Sequence, residues 1–291
     1  MIAQFVQFLS AGLTLGAIYA LAALGFGIIY NASGVINFAQ GEFIMLGGMS
    51  AAALVGVGVP LPFAVVLAIG ITFVAGLLLE KLAIERAGTA DVVTLIIITI
   101  GASLAIRGLV EILLGKGTRT LAAFGGEEPL EFLGATILPQ SLWVLGVACA
   151  AVLALAWFFQ RTLLGKAMLA TSCNKLAAQL VGIRTDRILM LSFLLSAALG
   201  AVGGIVVAPI AFTSYDAGIM LGLKGFVAAT LGGLGSGTGA VAGGLLLGIA
   251  EAMTAGYVSS AYKDAVPFVL ILLILVFLPR GLLGAEAAER V

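Results

Sequence analysis

The sequence predicts an all-α fold, a polytopic transmembrane helical bundle. Of its 291 residues, 62% are hydrophobic and only 10% are charged, with a mean hydropathy of +1.23. A soluble domain carries about 25% charged residues, so this chain cannot cover its surface with polar groups. Its apolar residues are also grouped into blocks of roughly 20, the length that crosses a bilayer as a helix. The expected solvent is therefore lipid.

About eight hydrophobic passages follow along the chain, and we expect them to form one transmembrane domain over residues 1–291. Two of the passages are interrupted by polar or glycine-rich stretches, at 31–57 and 222–256, and are predicted to be broken or re-entrant helices. The other blocks lie at about 5–30, 60–79, 92–114, 142–160, 188–210 and 265–280.

Charge and motifs exclude several function classes. The 14 basic and 14 acidic residues give a net charge of +0, so nucleic acid is not an expected partner. The chain has no histidine, the commonest metal ligand and general base. No P-loop motif occurs, because neither Gly-Lys pair has the required upstream glycine and following Ser or Thr. Cys149 and Cys173 lie in an apolar span and a basic loop, so no disulfide is expected.

The first broken passage contains NASGVINFAQGEF at 31–43, where polar residues follow a long apolar block. Non-helical backbone at membrane depth persists only where protein or a watery cavity satisfies it. The candidate partners are Asn31, Ser33, Asn37 and Gln40, with Glu42 at the start of the next half-helix. Two interpretations remain open: a bend whose amides merely satisfy the backbone, or a gate on a translocation path.

The second broken passage carries GGLGSGTG at 232–239. Gly235, Gly237 and Ala240 nominally fit a dinucleotide fingerprint, which requires a soluble strand–turn–helix unit. Apolar helices flank this stretch instead, so it is predicted to be a turn between half-helices.

The block 92–114 has a polar face, because Thr99, Ser103, Arg107 and Glu111 recur every four residues. One interpretation is an Arg107–Glu111 ion pair at the membrane interface. The alternative is that Thr99 and Ser103 line a polar path with that charge pair at its mouth.

Small residues form two ridges with a spacing of four, the pattern that lets membrane helices approach closely. Each ridge either packs within one bundle or faces a second membrane subunit. The two ridges are Ser192, Ser196, Gly200 and Gly204, and Ala240, Gly244, Gly248, Ala252 and Gly256.

Basic residues predict the orientation. The loop 161–187 has five Lys or Arg residues against one acid, so we place it in the cytoplasm. Because successive spans cross the membrane in alternate directions, the loop 81–91 and the tail with Arg280 and Arg290 are then predicted inside, and the loop 115–141 outside. The acids Glu127, Glu128 and Glu131 in that outer loop do not determine the orientation. No basic residue precedes Lys81, so charge leaves the N-terminal side open. The order of long and broken blocks weakly favours an N-terminus inside.

The cytoplasmic loop itself has helical spacing. Asn174 is the predicted N-cap of a short helix over 175–181, Gly182 its end, and Thr185 the cap of the next membrane helix. Leu176, Leu180 and Val181 would share one side, which the bilayer, the rest of the bundle or a partner protein must cover.

Ala177-Ala178-x-x-x-Gly182 in this basic loop resembles the core of the EAA segment of importer-type ABC permeases. The stretches YNASGVINFAQGEFIMLGG, TLIIITIGASL at 94–104 and LGGLGSGTGAVAGGLLLGIAEA at 231–252 resemble permease subunits of branched-chain amino-acid ABC importers, of the LivH type. These similarities extend from about residue 12 to residue 280. One departure is Leu176, which replaces the Glu that opens the segment in the family.

The resemblance implies a multi-pass permease of the bacterial inner membrane that performs no catalysis and holds no cofactor. Its implied partners are a second homologous permease, two cytoplasmic ATPases that bind ATP and Mg, and a periplasmic substrate-binding protein. The implied substrates are Leu, Ile and Val, with urea, short amides or aromatic acids as the alternative. Candidate path residues are Asn31, Asn37, Gln40, Glu42, Thr99 and Ser103, and candidates for coupling to the ATPase are Lys175, Ala177, Ala178, Gly182 and Arg184.

The rival class is an autonomous secondary transporter or channel. Such proteins use intramembrane carboxylates or ion sites near the midplane, for which Glu42, Glu111 and Glu251 are the candidates. Dependence of transport on ATPase subunits separates the two classes.

Overall fold

A computed structural model describes residues 2–88, 90–126 and 128–284. Helices dominate, and a π-helical turn over Glu80–Ile84 joins α3 to α4 as one rod. A 3₁₀ turn over Ser260–Ala265 precedes the last helix, and β1 (Leu130–Phe132) and β2 (Ala135–Ile137) form a small hairpin. The helices are α1 (Ile2–Ser33), α2 (Gln40–Gly56), α3 (Leu61–Leu79), α4 (Glu85–Ala87), α5 (Val92–Leu114), α6 (Pro139–Arg161), α7 (Leu163–Cys173), α8 (Lys175–Leu180), α9 (Thr185–Ala211), α10 (Ala217–Gly232), α11 (Gly237–Tyr257) and α12 (Val266–Phe277).

The helices confirm the predicted membrane bundle. Within the described residues, seven helical segments are long and apolar enough to cross a bilayer, and each overlaps a predicted apolar block. The two interrupted blocks contain the shorter apolar helices α2 and α10, of 17 and 16 residues. The glycine-rich stretch 233–236 is the turn between α10 and α11, as predicted, and Ser236 caps α11 by accepting from the Gly239 amide at 3.0 Å.

Burial divides the bundle into an inner and an outer set of helices. The inner helices are α1, which is buried mainly from Gly12 to Ile29, and α9, which is buried over most of its length. The outer helices α3, α5, α6 and α12 each leave an apolar face exposed, with side chains such as Phe63, Leu104, Trp157 and Val276. In a bilayer, those faces are matched by lipid tails at no hydrophobic cost.

Both small-residue ridges pack inside the chain. On α11, a side chain at Gly248 would overlap the backbone of Gly16, so α1 and α11 touch through their main chains. On α9, a side chain at Gly204 would overlap the Ile44 carbonyl of α2. The interpretation that these ridges pack within one bundle is confirmed, and the alternative of a ridge facing a second subunit is wrong for both.

The two ends of the bundle can be told apart by their contacts. The C-terminal end of α1 lies at the loop 161–187, because residues 30–34 and 171–176 line one cavity. The N-terminal end of α1 lies at the opposite end, where Gln7 donates to the Thr136 carbonyl of the hairpin at 2.8 Å. Ile2 and the loop 161–187 therefore lie at opposite ends of the bundle, so the prediction that both face the cytoplasm is wrong, and a cytoplasmic loop implies an N-terminus outside.

Two charged residues named in the orientation argument, Glu127 and Arg290, lie outside the described residues. Arg280 is described, and residues 281–284 lie at the same end of the bundle as the loop 161–187. There the Leu282 amide donates to the Leu231 carbonyl at 2.9 Å, at the C-terminus of α10.

The orientation predicts opposite labelling of two exposed positions. In intact cells carrying Cys149→Ala, a membrane-impermeant maleimide should leave the exposed Cys173 unmodified. In a chain without Cys149 and Cys173, Gln4→Cys should react, because Gln4 is exposed at the other end of α1. Peptide mass spectrometry before and after lysis reads both positions. Reaction of Cys173 in sealed cells would reverse the orientation.

Candidate functional site

The chain turns back into the bundle after α1. Gln40, the first residue of α2, packs beside Gly25, eight positions before the end of α1, or about 12 Å along a helix. Its side-chain amide donates to the Ser196 carbonyl of α9 at 3.3 Å, and the Ser196 hydroxyl contacts both the Gln40 oxygen and the Gly25 carbonyl. Gln40 therefore ties α1, α2 and α9 together at the break.

Side chains also accept hydrogen bonds from the backbone amides of the non-helical segment between α1 and α2. The Asn37 side-chain oxygen accepts from the Ala39 amide at 3.1 Å, and the Thr99 hydroxyl of α5 accepts from the Phe38 amide at 3.2 Å. Asn37 is 1% exposed, and its Nδ2 has no hydrogen-bond partner within the described residues. The break is thus stabilised by hydrogen bonds to a side chain of its own and to one on the neighbouring helix α5. The Asn37 Nδ2 donor takes no part in them.

A buried ion pair lies one turn into α2. Glu42 is 1% exposed, and its Oε1 accepts from Arg107 at 2.9 Å and from the Ser103 hydroxyl at 2.8 Å. The predicted Arg107–Glu111 pair is therefore wrong. Glu111 instead pairs with Lys116 at 3.0 Å, and that hydrogen bond raises the pKa of Lys116 above its ordinary value.

The N-termini of the two half-helices meet at this point. A side chain at Gly41 in α2 would overlap the Gly218 carbonyl in α10 and would crowd Gly222. Glu42 lies in the first turn of α2, where the helix dipole favours a negative charge. Glu42 Oε2, which has no partner in the described part of the chain, lies on the side of Gly218. The N-termini of α2 and α10 therefore meet beside the carboxylate of Glu42.

A second buried charge cluster joins α1, α10, α11 and the turn before α12. Lys224 donates to Glu251 at 2.6 Å and to Asp264 at 2.7 Å, and Tyr19 donates to the other oxygen of Glu251 at 2.8 Å. Lys224 and Glu251 are buried, whereas Asp264 is half-exposed. Sequence reasoning named only Glu251, although a lone lysine within the apolar stretch 217–232 was an available signal.

The candidate path residues fall into two groups. Asn37, Gln40, Glu42, Thr99 and Ser103 are buried around the break, where α2, α5 and α9 meet. Asn31 stands apart: it is exposed at the end of α1 and donates to the Gly235 carbonyl at 2.8 Å. A role of any of them in a path remains a prediction.

The loop 161–187 forms two short helices, α7 and α8. The Asn174 side chain accepts from the Ala177 amide at 3.0 Å, which confirms the predicted cap. Gly182 ends the helix with a φ of +88°, a conformation that glycine adopts without strain. Thr185 does not cap α9 as predicted, since its hydroxyl instead accepts from Gln179 at 2.8 Å.

The candidate coupling residues lie mostly on the surface of this loop. Ala178 is buried against the bundle, whereas Lys175, Ala177, Gly182 and Arg184 are exposed. The apolar residues beside them are uncovered: the exposed fraction is 73% for Leu176, 89% for Leu180 and 77% for Val181.

Comparisons with known proteins agree on one family. The family model described as branched-chain amino acid transport system / permease component matches residues 8–275. The chain is 36% identical to the high-affinity branched-chain amino acid transport system permease protein LivH of Salmonella typhimurium, over 99% of both chains. It is 33% identical to the corresponding permease protein BraD of Pseudomonas aeruginosa, over 99% of this chain and 98% of BraD.

One solved structure shares the fold. A chain of PsaBC from Streptococcus pneumoniae, solved in complex with Fab, matches with a TM-score of 0.55 over 96% of this chain and 97% of that chain. The sequences are 14% identical, so this likeness concerns the arrangement of helices alone.

Proposed function

Because this chain belongs to the family of branched-chain amino acid transport permease components, we propose that it is the membrane-spanning subunit of an ABC importer. In this proposal it passes amino acids with branched apolar side chains from a periplasmic binding protein to the cytoplasm, across the bacterial inner membrane. The names of its relatives LivH and BraD support that substrate class over urea, short amides or aromatic acids. A second homologous permease would complete the passage.

The observation that carries this proposal is the uncovered surface of α8. Leu176, Leu180 and Val181 protrude from the face that the proposal places in the cytoplasm, and nothing else in the described chain covers them. Exposed apolar groups rimmed by cations are typical of a protein interface, and here Lys175 and Arg184 supply the rim. We assign this surface to one of two ATPase subunits, which bind ATP and Mg and perform the hydrolysis.

The path, in our proposal, runs beside the meeting point of α2 and α10. Three buried polar atoms there have no hydrogen-bond partner among the described residues; one is Arg107 Nε, and the other two are the Asn37 Nδ2 donor and the Glu42 Oε2 acceptor. A zwitterionic solute needs one donor for its carboxylate and one acceptor for its ammonium group. Gln40, Thr99 and Ser103 would then hold the wall that carries these two groups, and Asn31 would stand at the cytoplasmic mouth.

The rival secondary transporter fits the buried carboxylates less well. Glu42 is paired with Arg107, and Glu251 is paired with Lys224. A carboxylate that couples transport to an ion gradient must be available to a proton or cation. Both oxygens of Glu251 are occupied, by Lys224 and Tyr19, and Glu42 has only Oε2 open beside its pair with Arg107, which favours an energy source outside this chain.

Replacement of Gly182 tests the coupling surface. Gly182→Val should lower ATP-driven leucine uptake and ATPase stimulation at least severalfold in the reconstituted complex, because a β-branched residue is strained at a φ of +88°. Gly88→Val is the matched control, since Gly88 also has a positive φ, of +58°, in another predicted cytoplasmic loop with open space around it. Equal uptake and ATPase stimulation in wild type and Gly182→Val would exclude the docking role.

Replacement of Asn37 tests whether the non-helical stretch is only a structural bend or also a gate on the translocation path. A serine hydroxyl can accept from the amide two residues on, as Asn37 does, but it lacks the extra amide donor. Asn37→Ser should therefore assemble normally and slow uptake while ATP hydrolysis continues partly uncoupled, and Asn37→Leu should do so more strongly. Uptake and hydrolysis are measured on equal amounts of assembled complex. Wild-type uptake per complex in both variants would leave the stretch as a bend only.

A further inference from the structure

A large cavity lies between helices α1 and α11, which are in contact at other points along their length. It has a volume of about 660 Å³ and lies between α1, α6, α7 and α11, at the ends nearest the loop 161–187. Near the other end, α1 and α11 approach through Gly16 and Gly248 until their backbones meet. At Gly27, by contrast, an added side-chain carbon would lie 4.0 Å from its nearest neighbour, the Gly235 amide. The two helices therefore diverge and leave an open space.

The wall of this cavity is apolar. Leu24, Val152, Leu155, Phe159 and Leu245 form much of it, and none of the lining residues is charged. The cavity is partly open, so water or lipid fills it, and hydrocarbon avoids the cost of hydrating an apolar wall. The few polar lining residues, such as Asn31, Gln160 and Thr238, are uncharged, so a zwitterionic amino acid would find hydrogen bonds there but no opposite charge. A hydrocarbon chain requires neither.

A second cavity continues from the first. It has a volume of about 470 Å³ and is lined by residues 30–34 and 171–176. The two cavities share Asn31, Ala32 and Ser172, so they adjoin. The second one is polar, since Ser33, Thr171 and Asn174 contribute to its wall, and Lys175 adds a cation. An apolar chamber that opens into a polar one with a positive charge matches an amphipathic molecule with an anionic head.

We propose that the two cavities together hold one phospholipid from the cytoplasmic leaflet, with an acyl chain in the apolar cavity and its phosphate near Lys175. Basic pockets between membrane helices on the cytoplasmic side bind such headgroups. Because α7 lines both cavities and leads directly into α8, a bound lipid would contact α7 and so help to hold α8 in position. This assignment requires the orientation of the chain, and it places the lipid beside Asn31, at the cytoplasmic end of the proposed path.

Photolabelling of the full chain tests the site. The purified protein is reconstituted in nanodiscs of phosphatidylethanolamine and phosphatidylglycerol that contain phosphatidylglycerol with a diazirine in the middle of one acyl chain. After photolysis, fragmentation of the peptides covering 152–160 and 241–245 should place label on the cavity-lining Leu155, Phe159 and Leu245, apart from the label that bulk lipid gives to the outward-facing Leu153 and Trp157. Gly27→Leu should remove most of this labelling by filling the cavity, and Ala156→Phe should do the same from the opposite wall. The matched control is Gly146→Leu, at an exposed position of α6 with open space around it.

Two further arms identify the occupant. Lys175→Gln should weaken the preference for phosphatidylglycerol over phosphatidylethanolamine by about fivefold, the effect of one cation near an anionic headgroup. A photoactivatable leucine analogue should leave both peptides unlabelled. Labelling that persists in both cavity-filling variants would overturn the lipid site. So would leucine-competed labelling by the analogue, which would make the cavity a solute vestibule.

Discussion

The hydrogen bonds of the broken backbone between α1 and α2 are the constraint on which the bundle depends. Lipid offers no partner for a free amide or carbonyl, so each group left unsatisfied there would cost on the order of several kcal/mol. The chain supplies acceptors from Asn37 within the break and from Thr99 on α5, and it fixes the next helix start through Gln40. The positions of α5 and α9 follow from these contacts, because both helices must reach the break.

The same constraint accounts for the glycines and the buried charges. Helices α2 and α10 can start beside each other only because Gly41 and Gly218 bring no side chains into the contact. A charge at this depth needs a partner, and removal of one member of a buried pair typically costs about 3–5 kcal/mol. Arg107 supplies that partner for Glu42 and so connects the outer helix α5 to the centre. Main-chain contact and ion pair together give a junction of fixed geometry.

The sequence specified what depends on local pattern. Apolar runs predicted the spans to within a few residues, and Asn174 and Gly182 predicted the bounds of α8 because caps act over one turn. Contacts between segments far apart in the sequence could not be predicted from such local patterns. Spacing along one helix suggested an Arg107–Glu111 pair, whereas Arg107 bonds to Glu42, the carboxylate that burial deprives of water. The N-terminal side was also unpredictable, since the positive-inside rule needs basic residues and the first 80 positions have none.

We propose that this chain forms a passage whose energy comes from ATP hydrolysis in partner subunits. The most direct measurement is uptake of radiolabelled leucine into liposomes containing the complete complex, with binding protein outside and ATP inside. Our account predicts accumulation against a gradient only when ATP and both ATPase subunits are present. Liposomes containing the permease chains alone should accumulate nothing under a proton or sodium gradient. Accumulation by the permease chains alone would contradict the account and make this protein an autonomous transporter.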